Sequence, residues 1–198
     1  MASYKEEVGT AVQNIAGEDG VITGQLWYDS SDSEFKYKYQ AYGSAWVTAN
    51  SLNTARNNIA GATSGTQTAS LAFGGFVPPH TAATEFWNGT NWTEVNNLNT
   101  GRDGIASGVG VSTAALAFGG NSDPSPLTEL AVTETWNGSN WTDVADLNVA
   151  RKGLAGAGTN TAALAMGGRT PSVVGTTETW NGSIWSTTAT MNLVQSLN

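Results

Sequence analysis

The 198-residue chain has no cysteine, which excludes disulfides, thiolate-held zinc and a thiol nucleophile while leaving the cellular compartment open. Cations are scarce: eight Lys and Arg stand against sixteen Asp and Glu, for a net charge of −8. Binding to nucleic acid depends on clustered cations that neutralise phosphates. Neither nucleic acid nor an anionic membrane surface is therefore an expected partner. No apolar run approaches the roughly 20 residues needed to span a bilayer, so no membrane insertion is expected. The opening Met1-Ala-Ser-Tyr-Lys-Glu-Glu lacks the apolar centre of a signal peptide. These features predict a soluble protein. The 3.6-residue apolar rhythm of helices is missing as well.

What the chain has is glycine (24), tryptophan (8) and repetition. Leu71-Ala-Phe-Gly-Gly75 returns as Leu116-Ala-Phe-Gly-Gly120 and Leu164-Ala-Met-Gly-Gly168. Trp87-Asn-Gly-Thr-Asn-Trp92 returns as Trp136-Asn-Gly-Ser-Asn-Trp141 and Trp180-Asn-Gly-Ser-Ile-Trp185. Leu52-Asn-Thr-Ala-Arg56 returns as Leu98-Asn-Thr-Gly-Arg102 and Leu147-Asn-Val-Ala-Arg151, and a fourth start stands at Met191-Asn192. Each second Trp is followed six residues later by that Leu or Met, whereas the stretch from the second Gly to the next Trp takes 12, 16 and 12 residues. Length varies mainly after the Gly-Gly, as in an exposed loop on a fixed scaffold.

Each copy reads as four short strands. Gly104-Ile-Ala-Ser-Gly-Val109 is small and apolar, suited to a crowded position. Ala114-Ala-Leu-Ala-Phe118 is a continuous apolar run, as in a strand covered on both faces. The last two strands flank Asn137-Gly138, a hairpin signal. Trp136 and Trp141 then share a face, directly opposed across a four-residue loop or diagonal across a two-residue one. Three such pairs are expected to pack adjacent copies together.

A period of about 45–50 residues, an apolar strand ending in Gly-Gly, an aromatic before a hairpin, a Trp after it and an Arg beyond resemble the Kelch motif. The resemblance covers residues 46–192 and departs from the usual pattern in having Trp87, Trp136 and Trp180 where Tyr is common. It implies an all-β Kelch-like propeller with four-stranded antiparallel blades. The segment Gly24-Gln-Leu-Trp-Tyr-Asp29 through Trp46 resembles the start of bacteriophage tail-fibre and virion-surface proteins. Within it Phe35, Tyr37 and Tyr39 alternate with Lys36, Lys38 and Gln40, a half-buried strand pattern. The expected organisation is an extension (1–23), a partial blade (24–50), repeats at 51–97, 98–146 and 147–190, and a terminal strand (191–198). Only three copies are complete, and closed propellers usually have at least four blades. A fourth blade shared between the termini, completion by another chain, or continuation beyond Asn198 each answers this.

Chemistry is sparse. A Kelch-type galactose oxidase needs a Cys-linked Tyr and two His ligands, which a chain with no Cys and only His80 does not supply. His80, in Val77-Pro-Pro-His-Thr81, reads as a solvated loop residue. Glu85, Glu134 and Glu178 recur before each Trp-Asn-Gly and read as framework. The arginine cluster and Tyr–Glu pair of a sialidase cannot be traced. Five Asn-x-Ser/Thr sequons, at Asn88, Asn91, Asn137, Asn140 and Asn181, read as turn chemistry. Gly153-Leu-Ala-Gly-Ala-Gly158 lacks the strand–turn–helix setting of a dinucleotide loop. The recurring Asn53, Arg56, Asn99, Arg102, Asn148 and Arg151 have two readings: struts between copies, or a ring of guanidinium groups at the mouth that holds glycan hydroxyls or carboxylates. With no cofactor, metal site or catalytic residue expected, the resemblance implies a non-enzymatic tail-fibre or virion-surface module binding a host glycan or protein. A purely structural virion component contacting its neighbours or itself, and a carbohydrate-active enzyme, are the alternatives.

Overall fold

A computed structural model describes residues 13–15, 26–31, 33–37, 48–106, 108–122 and 128–192. The chain is all-β, with no helix among the described residues, and divides into two compact units, Met1–Thr48 and Ala49–Asn198.

In the first unit β1 (Gln13–Ile15) runs parallel to β2 (Leu26–Asp29), which pairs antiparallel with β3 (Glu34–Tyr37). The alternation expected along β3 is reversed at its centre. Phe35 is exposed, stacking edge-on to Tyr28 at 5.2 Å, and Lys36 is drawn inward by a 3.0 Å ion pair with buried Asp29. Tyr39, Trp46 and the tail Leu193–Leu197, which the partial-blade expectation involves, lie outside the described residues.

The second unit holds three four-stranded antiparallel sheets, each a simple meander. Sheet 1 is β4 (Ala60–Gly61), β5 (Ser70–Phe73), β6 (Thr84–Trp87) and β7 (Trp92–Val95). Sheet 2 contains β8 (Val109–Val111) and β9 (Ala114–Phe118). The loop that follows them carries a two-stranded ribbon, β10 (Asn121–Ser122) with β11 (Thr128–Glu129), and β12 (Thr133–Trp136) and β13 (Trp141–Asp143) then complete the sheet. Sheet 3 repeats the plan with β14 (Ala155–Gly158) and β15 (Ala163–Met166), a ribbon of β16 (Arg169–Thr170) and β17 (Ser172–Val173), then β18 (Thr177–Trp180) and β19 (Trp185–Thr187). The glycine-rich stretch 153–158 thus ends in a strand.

The hairpins explain the sequence that recurs there. Asn137 Oδ1 accepts from the Ser139 and Asn140 amides at 3.0 and 2.9 Å, an Asx turn, and Gly138 follows at φ +93°. The loop therefore has four residues, and Trp136 sits directly opposite Trp141, ring centroids 5.4 Å apart. The pairs Trp87–Trp92 and Trp180–Trp185 repeat this geometry.

These rings build the core between sheets. Trp141 packs edge-on to Phe73 of sheet 1 at 4.9 Å, and its Nε1 donates to Thr84 Oγ1 at 3.1 Å. Trp185 does the same to Phe118 of sheet 2 (4.8 Å) and Thr133 Oγ1 (3.0 Å). Each junction is an apolar cluster: Leu71, Phe73 and Leu98 against Ile105, Trp136 and Trp141, then Leu116, Phe118 and Leu147 against Leu154, Trp180 and Trp185. Burying each such side chain stabilises the fold by roughly 1.5–3 kcal/mol. Gly108 is required here for space, since a Cβ at that position would come within 2.1 Å of the Phe73 ring.

Candidate functional site

The loop that leads into each sheet is held by a buried carboxylate on that sheet's third strand. Glu134 accepts from the Arg102 guanidinium, from the Asn99 amide at 2.7 Å and from the Thr100 amide at 3.4 Å. Glu85 receives Arg56 at 2.5 Å and the Asn53 amide at 2.7 Å, and Glu178 receives Arg151 and the Asn148 amide. All three guanidinium groups and all three carboxylates are fully buried. Arg102 is also tied to both neighbouring sheets: its Nε donates to Gly119 O at 3.1 Å, its amide donates to Thr81 O, and its carbonyl accepts from Gly75 N. The side-chain amides of Asn53, Asn99 and Asn148 donate to Trp92 O, Asp143 Oδ1 and Trp185 O respectively. No guanidinium group among the six residues singled out by their recurrence reaches solvent, whereas Asn53, Asn99 and Asn148 are exposed. Each guanidinium braces a loop within its own copy, and the backbones of Arg102 and Arg151 cross to the preceding sheet.

The residues beside those arginines are different in character. The position after each Arg forms an isolated antiparallel bridge with the position after each Gly-Gly: Asn57 with Phe76, Asp103 with Asn121, and Lys152 with Arg169. The Gly-Gly makes this possible by turning through positive φ (Gly119 +69°, Gly120 +108°) so that the chain folds back toward the incoming loop. The backbone of these bridges repeats. Their side chains do not: they are amide and aromatic, then acid and amide, then two cations.

Loops from all three bridges meet around a cavity of about 610 Å³ lined by Asn58, Phe76, His80, Asp103, Gly104, Asn121, Lys152 and Gly153. Asp103 is its centre. Its Oδ1 lies 3.1 Å from His80 Nε2, and its Oδ2 accepts from Asn58 Nδ2 at 3.1 Å. Asn121 Nδ2 lies 3.1 Å from the same His80 nitrogen, and the Phe76 ring meets the imidazole edge-on at 5.1 Å. His80 was expected to be a solvated loop residue; instead its side chain is 3% exposed, because residues 76–80 fold back into a Phe76–His80 bridge. Asn58 adopts φ +50° where the other two copies have Gly104 and Gly153 at +57° and +61°, a conformation that asparagine tolerates better than most residues. On the far wall Lys152 pairs with Glu129 at 3.4 Å. The Glu129 carboxyl is held below its ordinary range by a backbone hydrogen bond, with Lys152 and Arg169 adding to the effect against some desolvation.

A carboxylate, two amides, an ammonium group and an aromatic ring around one opening form a set suited to a neutral or zwitterionic polar ligand rich in hydroxyls. Repetition in the sequence does not mark these residues. Their signal was the opposite one, the columns next to Arg and next to Gly-Gly that change chemistry from copy to copy. No protein-family model matches the chain, and a search of curated proteins gives no match.

Proposed function

We propose that the chain is a non-enzymatic recognition module, a Kelch-like propeller of the type carried on phage tail fibres or virion surfaces, that binds a host glycan through the cavity around Asp103. The observation that carries this reading is the division of labour among the copies. The aromatic packing that joins sheet to sheet recurs, while Phe76, Asp103, Asn121 and Lys152 line the cavity at positions that differ from copy to copy, beside loops of variable length. Recognition residues on loops above a rigid scaffold follow this pattern. Hydroxyls of a sugar would bridge Asp103 and Asn121, and Phe76 offers an apolar edge. The His80–Asp103 pair resembles the orienting half of a catalytic triad, yet no Ser, Thr, Cys or Tyr nucleophile stands among the described lining residues.

The test is a glycan array with the intact protein and the variants Asp103→Ala and Lys152→Ala. A specific glycan retained by the wild type and lost by Asp103→Ala, with the variant still folded, is the expected result. Absence of any specific glycan, or binding indifferent to both variants, overturns the reading.

A further inference from the structure

Three copies of one sheet packed in series make two junctions and leave two outer faces, and those faces are the two halves of the same junction. In the first junction Ile105 lies beside Gly74, Trp141 beside Phe73, and the Trp141 nitrogen on Thr84. In the second, Leu154 lies beside Gly119, Trp185 beside Phe118, and the Trp185 nitrogen on Thr133. The residues in register on the outer face of sheet 1 are Ile59 and Trp92. On the outer face of sheet 3 they are Gly167, Leu164, Met166 and Thr177.

The larger side chains among these are less covered than their counterparts, whereas Gly167 is buried like Gly74 and Gly119, with the Met191 methyl group beside it. Ile59 is 43% exposed, against 7% for Ile105 and 4% for Leu154. Trp92 is half-buried where Trp141 and Trp185 are buried, and Leu164 and Met166 are half-buried where Leu71, Phe73, Leu116 and Phe118 are sealed. The hydrogen bond that marks each junction is also left open at both ends: among the described residues, none involves Trp92 Nε1 or Thr177 Oγ1. A partly uncovered apolar face of this kind marks an interaction surface. Its shape is specified twice over by the internal junctions, and the matching half stands on the other end of the same chain.

We propose that the occupant is a second copy of this chain, the outer face of sheet 1 of one copy seated on the outer face of sheet 3 of the other. Trp92 then packs against Met166 and donates to Thr177 Oγ1, and Ile59 enters beside Gly167 as the exposed Met191 side chain, which now fills that place, swings aside. The contact is head-to-tail, so two copies that use both faces close into a ring, and copies that do not close extend into a chain. Trp92 and Met166, the residues that the test changes, do not line the cavity.

The experiment measures the mass of the full chain by light scattering across a concentration series, for the wild type, Trp92→Glu, Met166→Glu and an equimolar mixture of the two variants. The wild type is expected at twice the monomer mass or more. Each variant alone, still melting cooperatively, is expected to associate more than about tenfold more weakly. The mixture is expected to regain a pair, because Met166 of one variant and Trp92 of the other still form one intact junction. If either variant fails to fold, Ile59→Lys replaces it for the sheet 1 face and Thr177→Val for the sheet 3 face. A wild type that stays monomeric at the highest concentration overturns the proposal and gives the faces to another segment of the chain or to an unlike partner. A mass unmoved by the variants, or a mixture of folded variants that does not pair, overturns it equally.

Discussion

A buried carboxylate is tolerable only where donors surround it, and Glu134 has three, one of them the fully buried guanidinium of Arg102. Removing one member of such a pair leaves the other charged and dry, which costs about 3–5 kcal/mol against a total stability of roughly 5–15 kcal/mol. Glu134→Ala is therefore expected to lower the urea midpoint severely, with the slope of the transition little changed; a shift within about 1 kcal/mol would show that water reaches the pair. At this scale the sequence was half legible. The register of Glu85, Glu134 and Glu178 with Arg56, Arg102 and Arg151 marked both sets as recurring, and the framework reading of the glutamates follows from that alone. Whether the guanidinium groups faced the mouth or the interior did not, because spacing along the chain says nothing about which way a loop side chain turns. His80 and Asp103 stand 23 residues apart in different copies, and only the folding back of residues 76–80 brings them together.

At the scale of the element, the aromatic rings are set by turn chemistry and spent between sheets. Asn-Gly told of a hairpin, but the choice between directly opposed and diagonal tryptophans rested on whether the loop held two residues or four. The Asx turn at Asn137 decides it in favour of four. The consequence is a pair of indoles, tilted 43° to one another in the middle sheet, whose second member packs on the apolar strand of the preceding sheet. Phe118→Ala is accordingly expected to cost about 3–5 kcal/mol, the range for deleting a fully buried aromatic. Gly108→Ala, which adds a single carbon, is expected to cost about 1–3 kcal/mol by forcing the Phe73 ring to move. Thermal melting of the two variants checks both. A Gly108→Ala protein as stable as the wild type would mean that the first junction is loosely packed, contrary to the sealed environment of Phe73. The continuous apolar run at 114–118 already announced a strand covered on both sides. Nothing in the sequence told that the strands flanking it would be so short, with β4 only two residues long.

For the molecule as a whole, stability in a series of like units is the sum of what each unit holds by itself and what each junction adds. Among the described residues, sheet 2 has both faces covered by neighbouring sheets, whereas sheets 1 and 3 have one each. Amide hydrogens on β9 and β12 are therefore expected to exchange with solvent more slowly than their counterparts on β5 and β6 or on β15 and β18, since opening the middle sheet must disrupt two junctions. If the outer faces are joined by a second copy, that ranking depends on concentration, because association protects only the assembled state. At low concentration the middle sheet stands apart, and on concentrating the protein the two outer sheets slow toward it while the middle sheet changes least. Hydrogen-exchange mass spectrometry at two concentrations a hundredfold apart reads this directly from peptides covering the three apolar strands. Equal protection of all three sheets at the lower concentration would show that both outer faces are already covered within a single chain. A ranking that stays fixed on concentrating would show that the copies do not meet there.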